Sequence, residues 1–138
     1  MNWIVYALLS ALFASLVAIF GKIGLKDIDS TLATAIRSVV MALFLVAVSF
    51  SLGKFSLLES VNSKTLLFII LSGVAGAISW LFYFFAIKIG PASAVAAIDK
   101  TSIAFVFILA LIFLGESFTY MKAGGALLVV LGALLMVL

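Results

Sequence analysis

Long apolar runs alternate with short polar interruptions along the chain, and their spacing predicts five membrane-spanning helices. A helix rising about 1.5 Å per residue needs roughly 20 apolar residues to cross a hydrocarbon core of about 30 Å. The five runs are about Trp3–Gly24, Thr31–Leu52, Thr65–Ile89, Ala92–Leu114 and Phe118–Leu138. Lys26 and Asp27 stop the first. Asp29 and Ser30 are candidate N-caps for the second, and Gly53 stops it. Ser63 stands near the start of the third, Gly90 ends it, and Pro91 suits the first turn of the fourth. Ser117 is a candidate cap for the fifth, with Glu116 beside it.

The runs are too long, and too poor in strict alternation, for a β-barrel. The N-terminal run has no basic leader and exceeds the apolar core of a signal peptide, so it reads as a retained first span. Connections are short, and only "GKFSLLESVNSK", Gly53–Lys64, has room for an interfacial segment. The pattern predicts an all-α integral membrane protein, a five-transmembrane-helix bundle forming one domain over residues 1–138 without internal repeats.

Composition strengthens this picture. Residues are 67% hydrophobic and 9% charged, against roughly 25% charged in soluble domains. Eight basic and five acidic side chains cannot clothe a soluble surface, so most of the surface faces the lipid bilayer. The chain has no Cys and no His, which excludes disulfides, thiolate chemistry and imidazole catalysis. Paired carboxylates are also absent, so an enzyme is disfavoured, and no metal or cofactor is expected. The lysines punctuate apolar runs instead of forming a patch, which argues against nucleic acid as a partner.

Small residues recur at helical spacing: Ser10, Ala14 and Ala18; Ser72, Gly76 and Trp80; Gly125 and Gly132. Such stripes let helix backbones approach each other in lipid, and the last suits packing between two copies of the chain. Loop charge gives little orientation bias. Lys22, Lys26 and Lys88 fall on one side of the membrane, and Lys54, Lys64 and Lys122 on the other. A balanced chain is suited to insert both ways up and pair into an inverted-repeat assembly.

Within the spans, "AAIDKTSIAF" places Asp99 beside Lys100, where each charge costs about 2.5–3.5 kcal/mol at a helix centre. Asp99 lies about seven residues, or ~10 Å, into its run, and Arg37 about six residues, or ~9 Å, into its own. Both runs start from the same membrane face, so the charges are predicted at nearly one depth, with Lys22 approaching more shallowly. They are candidates for a polar cavity, in which Arg37 holds a carboxylate bidentately and Asp99 accepts from Arg37 or a lysine. Thr34 and Ser38 flank Arg37, and Thr101 and Ser102 follow Lys100. Lys100 stands about 100° around the helix from Asp99, so one of the two snorkels along its stem. Trp80, Tyr83 and Phe84 form an aromatic cluster that lines a cavity or packs. The competing reading is a buried ion pair that fixes helix register. Lys22 and Lys26 also suit interface anchoring.

Taken together, "AIFGKIGLKDIDSTLATAIRSVV" and "LFYFFAIKIGPASAVAAIDKTSIAFVFILALIFLGESFTYMKAGGALLVVLGALLMVL" resemble the EamA domain of the drug/metabolite transporter superfamily. The resemblance lies in an aromatic-rich third helix, an Ala-Ile-Lys ending, Gly-Pro-Ala, a Phe-Leu-Gly-Glu close and a Gly-rich last helix. "AIDKTS" is similar to a single-domain, five-helix branch, in place of the Glu-Pro pair of many ten-helix members. The resemblance implies a secondary transporter of a small metabolite, an amino acid or related compound, across the cytoplasmic membrane by alternating access. A half-sized member implies an inverted homodimer, half of the inverted-repeat architecture per copy. The expected site is Arg37 and Asp99, with Lys100, Lys22, Thr34, Ser38, Ser102, Trp80 and Tyr83 near it. The alternatives are a non-transporting assembly subunit of a membrane complex and a flippase for a lipid-linked substrate.

Overall fold

A computed structural model describes residues 2–138. Six α-helices follow one another: α1 Trp3–Gly24, α2 Ser30–Ser51, α3 Ser63–Ile89, α4 Ala92–Asp99, α5 Ser102–Phe113 and α6 Tyr120–Leu135. A 3₁₀ segment, Lys54–Ser60, joins α2 to α3, and no strand occurs among the described residues.

The helix ends follow local chemistry. Asp29 sits in extended backbone before α2, and its carboxylate accepts from the amides of Thr31 and Leu32 at 2.8 and 3.0 Å. That satisfies two of the helix's orphan donors. The Leu32 amide foremost, with the Thr31 amide and the Lys88 charge behind it, holds the Asp29 carboxyl below its ordinary value. The cap is therefore intact at neutral pH, and its contribution is lost as pH falls through that lowered value. Gly53, at φ 63, ends α2 in the left-handed region that glycine enters without strain. Asn62 starts α3 by accepting from the Thr65 amide at 2.8 Å.

Among the described residues, four segments are long and apolar enough to cross a membrane: α1, α2, α3, and Ala92–Phe113 counted through its interruption. The predicted fifth span is shorter than its apolar run. Thr119, not Ser117, caps α6 by accepting from the Lys122 amide. The helix then runs 16 residues, or about 24 Å, short of a ~30 Å core.

Two compact units divide the chain. One takes the chain up to Ile23 together with Ile89–Leu138, and the other is Gly24–Lys88. In the first, α6 packs against both α4 and α5. Its buried apolar residues are all alanines: Ala18, Ala97, Ala110, Ala126 and Ala133. Small side chains permit the close backbone approach on which helix packing in lipid depends. Sequence pattern singles out Gly125 and Gly132, but the buried pair is Ala126 and Ala133, one position along. A methyl added at either glycine would meet nothing within 4 Å. Ala133→Leu should therefore destabilise the protein by about 1–3 kcal/mol through overpacking. Gly125→Ala should instead be neutral, or stabilise by about 0.5–1 kcal/mol through helix propensity. Thermal unfolding in detergent distinguishes the two, and equal effects would contradict this seam.

In the second unit burial gathers where α2 begins and α3 ends, at Leu25, Ser30, Thr34, Phe84 and Ile87. Farther along, Leu43, Phe44, Phe68 and Ile70 are more than half exposed, as lipid-facing side chains are. The 3₁₀ segment packs back on α2, with the Phe50 and Phe55 rings 6.5 Å apart. None of its residues is buried.

Candidate functional site

The run Ala92–Leu114 reads as one helix in sequence, yet the α-helix stops at Asp99 and resumes at Ser102. Lys100 and Thr101 keep right-handed dihedrals, with ψ of −11° and −18°. The backbone bonds tighten to 3₁₀ spacing. Lys100 and Thr101 donate to Ala97 and Ile98 at 3.0 and 2.9 Å, and Ile103 and Ala104 donate to Lys100 and Thr101 at 3.1 and 3.0 Å. No proline or glycine lies in "IDKTS", and four of its five residues are polar. The Thr101 hydroxyl donates to the Ile98 carbonyl at 2.7 Å, competing with the ladder as short polar side chains do. A 3₁₀ stretch inside a helix often marks a functional hinge.

At this interruption Lys100 folds back on its neighbour, with Nζ 3.0 Å from Asp99 Oδ2. The carboxylate side chain is 38% exposed and the ammonium side chain 56%. Adjacent positions cannot share one face, and the long lysine stem closes the angle. Pairing offsets part of the cost of placing each charge inside a span. Ser102, exposed, opens α5 just beyond.

Arg37 occupies the second unit, about seven residues into α2. Its Cζ stands 3.7 Å from the Trp80 ring centre and 5.6 Å from that of Phe84. Trp80 meets Tyr83 and Phe84 edge-on at 5.3 and 6.1 Å. Such a cation–π contact contributes about 0.5–1 kcal/mol when exposed and ~2 kcal/mol when desolvated. Sequence reasoning names both Arg37 and the aromatic cluster without joining them. Depth along a helical hairpin is the signal that joins them, since Arg37 lies about as far from the start of α2 as Trp80 does from the end of α3. Within its own unit the guanidinium forms no ion pair and no hydrogen bond.

Thr34 is buried, and its hydroxyl donates to the Ser30 carbonyl at 2.7 Å; the Ser38 hydroxyl donates to Thr34 at 2.8 Å. Both line an open groove of about 260 Å³ between α2 and α3, with Thr31, Ala35, Ala77, Ile78 and Leu81. Lys22 donates to the Gly90 carbonyl at 2.9 Å, tying the end of α1 to the turn before α4. Lys88 donates to the Ile28 carbonyl at 2.6 Å, tying α3 to the turn before α2. Both are cations near helix C-termini, where the dipole favours them. Lys122 reaches Glu116 at 3.4 Å beside the start of α6.

The structure thus brings Arg37, Trp80, Tyr83, Thr34 and Ser38 together in one unit. It brings Asp99, Lys100 and Ser102 together at the interruption in the other, which also holds Lys22. The two groups stand in separate units.

The model of a family described as the EamA-like transporter family matches residues 1–138. A protein of Sinorhizobium sp, named as an uncharacterized transporter in cobO 3'region, is 42% identical over 135 residues. The match covers 98% of this chain and 96% of that protein. No solved structure matches the chain.

Proposed function

Because the chain belongs to the EamA-like transporter family, within the drug/metabolite transporter superfamily, we propose that it moves a small metabolite across the cytoplasmic membrane by alternating access. An amino acid or a related compound is the substrate class that the family resemblance implies. The observation that carries this reading is the polar interruption of Ala92–Phe113 at Asp99–Thr101. Transporter sites are typically built at discontinuous helices near the bilayer midplane, and ionisable groups inside a span are functional candidates by default. The proposed site residues fall in two groups, each within its own unit: Asp99, Lys100 and Ser102 in one, and Arg37, Thr34, Ser38, Trp80 and Tyr83 in the other. Lys22 belongs to the first unit and anchors the end of α1 through its bond to Gly90.

The working form is a homodimer of oppositely oriented copies, each crossing the membrane five times with α6 as the last crossing. The even division of loop lysines supports it. The chain has no native Cys, so single-cysteine variants need no stripped background. In cells carrying Lys26→Cys or Lys54→Cys, an impermeant thiol reagent should label each site in roughly half of the molecules. Labelling of only one of the two would rule out opposed orientations. Reconstituted protein should catalyse counterflow of one amino-acid-like metabolite. No flux across a metabolite panel, with a different membrane protein co-purifying, would favour an assembly subunit.

A further inference from the structure

We propose that Arg37 is the oxyanion end of the substrate site, and that the substrate is a carboxylate with a small apolar body. This rests on the transporter reading above and names its substrate class. At 3.7 Å from the Trp80 ring centre the guanidinium lies face-on, since an edge-on approach would hold Cζ farther off. A face-on guanidinium keeps its N–H donors around its rim. None of them is taken by a carboxylate of its own unit. Asp29 is committed to capping α2, and among the described residues neither Asp27 nor Glu59 forms an ion pair. A planar donor fork held on an aromatic face fits a carboxylate, which it binds bidentately. The ring also fixes the plane of the fork, so less freedom is lost on binding.

The adjoining groove supplies the second half of the argument. Thr34 and Ser38 spend their hydroxyl protons on backbone carbonyls, and the remaining walls include Ala35, Ala77, Ile78 and Leu81. Such a lining accommodates hydrocarbon, and the Thr34 and Ser38 hydroxyls have no proton left for a second anion. The groove, about 260 Å³ and open on one side, has room for a short branched chain. A lipid headgroup phosphate shares the oxyanion chemistry, and the experiment separates the two sources.

The tryptophans are Trp3 and Trp80, so a Trp3→Phe protein reports from the Arg37 stack alone. In nanodiscs of zwitterionic lipid, isovalerate should change its emission saturably. Isovaleramide and isopentylamine should bind at least 10-fold more weakly. Arg37→Gln should abolish the response and Arg37→Lys, which keeps the charge and loses the fork, should weaken it about 10-fold. Lys54→Gln, in the 3₁₀ segment and outside the groove, should retain it. Equal binding of the amide, or an unchanged response in a folded Arg37→Gln or Arg37→Lys protein, would overturn the proposal. A response to anionic lipid content and none to isovalerate would overturn it too, assigning Arg37 to headgroup phosphate. Carboxylate binding without counterflow of any metabolite supports this assignment and counts against transport alone. Counterflow of a neutral or cationic metabolite without a carboxylate response overturns this assignment alone.

Discussion

Replacing Asp99 with Asn is expected to lower the initial rate of counterflow roughly 10- to 100-fold while the protein still elutes as a single folded species. Asparagine keeps the shape and removes the charge. Lys100, 3.0 Å away, then loses its counterion, and any cationic group of a substrate or coupling ion loses its acceptor. Hydrogen bonds to charged groups contribute about 1.5–3 kcal/mol, and each 1.4 kcal/mol corresponds to about tenfold. Both groups of the pair are more than a third exposed, so the change in thermal stability should be much smaller than the change in rate. Undiminished counterflow would make the pair a device for helix register and remove Asp99 from the site.

The double variant Asp99→Leu, Lys100→Leu should show the opposite balance. Leucine is favourable at a helix centre, and Asp and Lys are unfavourable by about 2.5–3.5 kcal/mol each. Insertion of the isolated segment Ala92–Phe113 should therefore improve by roughly 6 kcal/mol in sum. Glycosylation mapping of that segment measures this directly. Counterflow should fall to background. A chain that inserts better and transports nothing would show that the charges are kept for the chemistry they perform. A leucine variant that still transports would show that the interruption, with Thr101 still bonded to Ile98, suffices without them.

Most of the helical framework was legible in the apolar runs. α1, α2 and α3 fall within about two residues of the expected bounds, because Asp29, Gly53 and Gly90 mark ends by simple chemistry. The interruption at Lys100 was not foreseen. Hydropathy is a property of a window, and Ala92–Phe113 is apolar as a window. The break falls on the polar run Asp99–Ser102, four residues that a window average does not single out. α6 was overestimated for a related reason. Phe118 and Leu138 are as apolar as their neighbours, but Thr119 takes the cap and the helix ends at Leu135. Arg37 was marked by its charge, while its seat on Trp80 depends on how α2 and α3 come together in space. On α6 the buried residues are Ala126 and Ala133, one position along from Gly125 and Gly132. Glycine is the more conspicuous letter; the buried face is set by rotation about the helix axis, which a stripe of equal spacing does not fix.

One helix lies across both sides of the interruption, since α6 packs on α4 and on α5. It serves as a splint along a fracture. Bending at Lys100–Thr101 is then restricted to tilts that slide along the splint, and tilts that would pry it away are resisted. A swing of α4 against α5 shears along α6, so this helix sets which tilts the interruption permits.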